Sequence, residues 1–87
     1  MQADKTKVMR LLKTARGQLD GILRMMEEDR YCLDISQQLL ATEAMLKRIN
    51  KEILAAHLKH CVEQAETPAQ REEKIDELVG MLDKLIK

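Results

Sequence analysis

An all-α fold of long amphipathic helices is predicted by three features of this 87-residue sequence. Tyr31 is its only aromatic residue, while Leu, Met, Ala, Glu, Lys, Gln and Arg, the good helix formers, dominate. One Pro and three Gly leave little turn chemistry for a β-sandwich or barrel. Apolar residues recur at three- and four-residue steps along most of the chain. The length supports one domain, residues 1–87. A domain this small buries only about 60% of its unfolded surface. Without a disulfide framework, it is expected to gain stability by oligomerising.

The first helix is predicted over about residues 4–28, where Val8, Leu11, Leu12, Ala15, Leu19, Ile22, Leu23 and Met26 form one apolar stripe. Gly17 and Gly21 lie four apart on it. Each costs roughly 1 kcal/mol against Ala, which suits a close crossing by another helix. Asp29, in Glu27-Glu28-Asp29-Arg30, is the expected cap of a second helix over about residues 30–64. There Ile35, Leu39, Thr42, Leu46, Ile49, Ile53, Ala56 and His60 keep a heptad spacing, which calls for a partner helix along the whole length. The third helix, about residues 68–86, has the clearest start. Thr67 stands at the N-cap, Pro68 at the first helical position and Gln70 at the capping-box position. Its apolar face is Ile75, Leu78, Val79, Leu82, Leu85 and Ile86.

The formal net charge is zero, yet residues 1–24 carry +4 and residues 63–87 carry −3. The basic segment attracts an anionic partner and the acidic one repels it. No apolar run reaches the length of a membrane span, and Met1–Lys13 lacks the apolar core of a signal peptide. A cytoplasmic location is therefore expected. There Cys32 and Cys61 read as metal ligands or redox thiols, not as a structural bridge. No Gly-rich phosphate loop, nucleophile elbow or carboxylate pair is present, so no enzyme is expected.

Chemistry concentrates in Cys32, His57 and Cys61. His57 and Cys61 are four apart and project from one face of the second helix. At 100° per residue from Ile35, Cys32, His57 and Cys61 fall near about 60°, 40° and 80°, one shared face beside the heptad stripe. Along a continuous helix, however, Cys32 and His57 are separated by about 38 Å. One chain cannot bring them to one ion, but an antiparallel partner can. With the dyad near Met45 and Leu46, Cys32 of one chain faces His57 and Cys61 of the other, and the dimer holds two identical sites. Two thiolates and one imidazole favour Cu(I). Zn(II) would want a fourth ligand, for which His60, near about 340° on the same wheel, is the spare.

These residues, in this order, resemble the copper-sensing operon repressor (CsoR) family of bacterial transcription regulators. The matching stretches are Gly17-Gln18-Leu19-Asp20-Gly21-Ile22 with Arg24-Met25-Met26-Glu27-Glu28, then Tyr31-Cys32-Leu33-Asp34-Ile35, then His57-Leu58-Lys59-His60-Cys61-Val62. The resemblance implies a three-helix protomer, an antiparallel four-helix-bundle dimer and a disc-like tetramer. It implies a single metal-sensing, DNA-binding domain that holds operator DNA when metal-free and releases it when Cu(I) binds to Cys32, His57 and Cys61. Tyr31 and Glu77 match positions that link ligand to fold, through a hydrogen bond from the free nitrogen of a metal-bound His57.

The basic candidates for DNA contact are Arg10, Lys13 and Arg16 on the first helix and Lys47, Arg48 and Lys51 on the second. Arg48 stands at a position the family uses for DNA. Leu11 and Thr14 occupy positions where the family usually carries arginines, and Leu11 fits the apolar stripe instead. Relatives that sense nickel, cobalt or formaldehyde carry His or no ligand at the position of Cys61. Persulfide sensors keep both cysteines and replace the His. His57 together with Cys61 thus favours copper. The alternatives are a persulfide sensor using Cys32 and Cys61 as facing thiols, or a copper-binding protein without DNA binding.

Overall fold

The computed structural model describes residues 1–86; Lys87, the last residue of the predicted domain, lies outside the described residues. Three helices follow one another: α1 (Lys5–Glu27), α2 (Cys32–Gln64) and α3 (Pro68–Ile86). Asp4 starts α1, its carboxylate accepting from the Lys7 N–H at 3.2 Å and satisfying one of the orphan donors of the first turn. Thr67 starts α3 in the same manner, its hydroxyl accepting from the Gln70 N–H at 3.1 Å. The Gln70 side chain accepts from the Glu66 N–H at 3.0 Å, one residue ahead of the Thr67 N–H that a capping box would use.

Asp29 does not cap α2. It sits at φ 52°, in the left-handed region, just past the end of α1. Its N–H donates to the Met26 carbonyl at 3.1 Å, and the Arg30 N–H donates to the Met25 carbonyl at 2.9 Å. That pair of bonds is a Schellman motif, which closes the C-terminus of α1 and usually has Gly where Asp29 stands. Helix α2 then begins two residues later than expected, with Tyr31 at its N-cap and no side-chain capping bond.

α2 is the spine. α1 and α3 each pack against it, and among the described residues they do not meet one another. The α1–α2 pairing is antiparallel: Lys7 Nζ reaches Glu52 Oε1 at 3.1 Å, Val8 and Leu11 pack with Ile49, and Gln18 meets Thr42. Ala3, Met45 and Ile53 complete this small core. Thr42 is buried, its hydroxyl lying 2.9 Å from Gln18 Oε1 and 3.1 Å from the Gln38 carbonyl. The hydroxyl has one proton for these two acceptors, and its contact with Gln18 ties α1 to α2 at this register.

The result is a layer of 57 × 27 × 11 Å, one helix thick. Its radius of gyration is 17.3 Å, against about 12 Å for a compact chain of this length. Its accessible surface is 6813 Å², against about 5300 Å² for a compact monomer of this mass. The apolar stripes explain the excess, because each is only partly used inside the chain. Leu12, Leu19, Leu23 and Met26 of α1, Leu39 and Leu46 of α2, and Ile75, Val79 and Ile86 of α3 all remain exposed. The heptad stripe of α2 is therefore split: Thr42 and Ile49 are buried under α1, and Leu39 and Leu46 are left open. Nor do Gly17 and Gly21 mark a close crossing within the chain, since a Cβ at either would meet nothing within 4 Å.

Replacing Asp29 by Gly relieves the left-handed strain and raises stability by about 0.5–1 kcal/mol. Asp29→Val lowers it by about 1–2 kcal/mol. Thermal unfolding followed by circular dichroism checks both, and a drop in melting temperature for the Gly variant overturns the assignment.

Candidate metal centre

His57 and Cys61 lie one turn apart near the C-terminal end of α2, and Cys61 Sγ is 3.4 Å from His57 Nε2. Metal bonds of about 2.3 Å to sulfur and 2.0 Å to nitrogen, opened to roughly 105–110°, need about this separation. The donor set also fits, because a thiolate and an imidazole together suit a soft ion. His57 is exposed and Cys61 half-buried, so both donors are accessible.

Cys32 is the first residue of α2 and is exposed. With α2 unbroken over 33 residues, it stands about 38 Å from His57. Among the described residues, no three His, Cys, Asp or Glu side chains of one chain converge on a point. The structure thus brings His57 and Cys61 together and leaves Cys32 at the far end of the same rod. His60 is half-buried and lines a separate hollow with Cys61, Gln70, Glu73 and Lys74.

Glu77 and Tyr31 part company. Glu77, on α3, shares with His57 a groove of about 460 Å³ between α2 and α3. Its carboxylate is turned to Lys74 Nζ at 3.6 Å, not hydrogen-bonded to the imidazole. Tyr31 is 65% exposed beside Cys32, at the opposite end of α2 from His57 of its own chain. Met1, Gln2 and Met81 also line the His57 groove. Their part was not legible in the sequence, because Met1 and Gln2 precede the first helix and Met81 stands beside the α3 stripe. The available signal was the spacing of Met81 and Glu77, four apart on one helix face.

Arg10, Lys13 and Arg16 are exposed on α1, around hollows of about 540 and 250 Å³ that share Met9 and Lys13. Lys47 is held by Glu43 at 3.1 Å, whereas Arg48 and Lys51 are simply exposed. Leu11 is 7% exposed and packs in the α1–α2 core, where an arginine head group would be buried without a partner. Thr14 is exposed and donates its hydroxyl to the Arg10 carbonyl at 3.1 Å.

A soft-ligand pair on a thin helical layer with exposed basic side chains is the equipment of a metal-responsive protein. The chain belongs to the metal-sensitive transcriptional repressor family, whose profile matches residues 4–84. It is 44% identical over 75 residues to the copper-sensing transcriptional repressor CsoR of Mycobacterium ulcerans, covering 86% of this chain and 64% of that one. To CsoR of Bacillus subtilis it is 37% identical over 84 residues, covering 97% of this chain and 83% of that one. The chain thus spans slightly less than two thirds of the mycobacterial relative. Among solved structures, Cu(I)-bound CsoR of Geobacillus thermodenitrificans superposes with a TM-score of 0.81 at 31% identity, over 100% of this chain and 94% of that one. The nickel-responsive regulator InrS gives the same TM-score, 0.81, at 27% identity, over 98% of this chain and 96% of that one.

Proposed function

We propose that this protein is a cytoplasmic copper(I)-responsive transcriptional repressor, a single metal-sensing and DNA-binding domain that holds operator DNA when metal-free and releases it on binding Cu(I). The observation that carries the reading is the preformed His57–Cys61 pair, 3.4 Å apart, on the same unbroken helix whose other end presents Cys32. Support also comes from the relatives named for copper sensing and from the Cu(I)-bound structure with the same fold.

Two chains pair antiparallel through the exposed stripe of Leu12, Leu19, Leu23, Leu39 and Leu46, forming a four-helix bundle. The dyad then falls near Met45 and Leu46. Cys32 of each chain meets His57 and Cys61 of the other, giving two sites per dimer. Two such dimers stack into a tetramer through the remaining apolar surface of α3. Bound there, Cu(I) supplies a soft three-coordinate crosslink between subunits. Tyr31 stands beside Cys32, and Glu77 flanks His57 across the α2–α3 groove, so both can hydrogen-bond groups that orient the ligands. Arg10, Lys13, Arg16, Lys47, Arg48 and Lys51 supply phosphate contacts, repeated over the subunits. Linkage requires operator DNA to weaken Cu(I) binding by the same factor by which Cu(I) weakens DNA binding.

X-ray absorption on the Cu(I)-loaded protein is expected to show two sulfurs and one nitrogen per copper. Cys32→Ala leaves one sulfur and His57→Ala no nitrogen. An unchanged shell in either variant removes the shared site. A gel-shift titration is expected to show operator release at one Cu(I) per chain, and equal affinity with and without Cu(I) refutes the repressor mechanism. Mass spectrometry after persulfide treatment separates the thiol-sensing alternative, which requires a covalent Cys32–Cys61 link between subunits.

Leu46→Lys places like charges across the dyad. Analytical ultracentrifugation is expected to show loss of the dimer, with the copper shell reduced to His57 and Cys61. Single alanine variants of Arg10, Lys13 and Arg16 are each expected to weaken operator binding and to lower the slope of log affinity against log salt by about 1 for every copy of the residue that contacts DNA. An unchanged slope removes that residue from the interface.

A further inference from the structure

We propose that the groove between α2 and α3 is a second Cu(I) site, an entry point where the Met1 and Met81 thioethers take up the ion and pass it through His57 to the thiolates. The inference rests on the copper reading above and adds a site to it.

Of the six methionines, Met1, Met9, Met25, Met26, Met45 and Met81, only Met1 and Met81 line this groove. Ile53, Leu54 and Leu78 are the apolar wall beside them, and Gln2, His57 and Glu77 are the polar groups. The groove's volume, about 460 Å³, exceeds a water's share of about 30 Å³ many times over. An ion can therefore enter with ligands still attached. Met1 and Met81 are 71% and 41% exposed, so both groove-lining side chains can be reached from solvent.

Thioethers are soft donors that select Cu(I) over Mg(II) or Ca(II). They have no proton to lose, whereas each thiol must release one before it can bind metal. A thioether pair therefore binds weakly and fast, and the thiolate set binds tightly. His57 belongs to both, lining the groove and lying 3.4 Å from Cys61 Sγ. The Glu77 carboxylate adds a negative charge at the groove, partly offset by Lys74 at 3.6 Å. In the transfer the ion stays Cu(I) and no electron moves. Thioether–copper bonds break as thiolate–copper bonds form, and the protons of Cys32 and Cys61 pass to water.

The test uses Ag(I), a redox-inert soft probe, with the Cys32→Ser/Cys61→Ser protein labelled with ¹³C at the methionine methyls. Added Ag(I) is expected to shift the Met1 and Met81 methyl signals and leave the other four in place. No shift, or a shift spread over all six, overturns the site. Met81→Leu is expected to lower the Ag(I) affinity of that thiol-free protein about tenfold, a typical loss for a supporting metal contact. In the otherwise native protein, Met81→Leu is expected to slow anaerobic Cu(I) uptake from a chromogenic chelate without changing final affinity. Met9→Leu serves as control. Uptake as fast as the control overturns the entry role. If the native protein fails to show a two-sulfur, one-nitrogen shell, the copper-repressor reading falls, and the methyl shifts still report on the groove independently.

Discussion

The continuity of α2 governs everything else. A helix unbroken over 33 residues is a rod of about 50 Å, and its hydrogen-bonded backbone cannot fold Cys32 back to His57. Ligands fixed at opposite ends of such a rod serve one ion only if a second rod lies alongside, reversed. Under the proposed function, partner binding and metal binding are two views of one requirement. The same rod also explains the shape of the chain. α1 covers one flank of α2 and α3 the other, both antiparallel to it, and neither closes over the broad faces. What a globular domain buries in its interior, this chain leaves exposed.

Much of this was legible from sequence where a local rule acts alone. Thr67 before Pro68 announces the start of α3, because a hydroxyl acceptor and a fixed backbone angle have one joint use. The spacing of His57 and Cys61 placed both on one face, and the Sγ–Nε2 distance of 3.4 Å follows from that spacing. Leu11 read as an apolar-stripe residue, and it is buried in the α1–α2 core. Where two rules compete for one residue type, the reading failed. Asp29 is a good N-cap residue, but a short polar side chain also tolerates left-handed backbone, and the end of α1 claimed it first.

The heptad pattern on α2 was real, yet periodicity says only that a position meets another helix. It does not say whether that helix is in the same chain. Thr42 and Ile49 are buried against α1, while Leu39 and Leu46 stay 45% exposed. The groove beside His57 was invisible for a different reason. Its walls come from the segment before α1, from α2 and from α3, and no spacing rule connects residues 1, 57 and 81.

The Thr42–Gln18 contact has a consequence for how the layer responds to force. The Thr42 hydroxyl also reaches the Gln38 carbonyl of its own helix, so if α1 slid away the hydroxyl would keep a partner and the Gln18 amide would lose its cross-helix one. Sliding α1 along α2 therefore costs this contact together with the packing of Val8 and Leu11 against Ile49. Any event that tugs on either helix works against both before the exposed arginines and lysines of α1 change place.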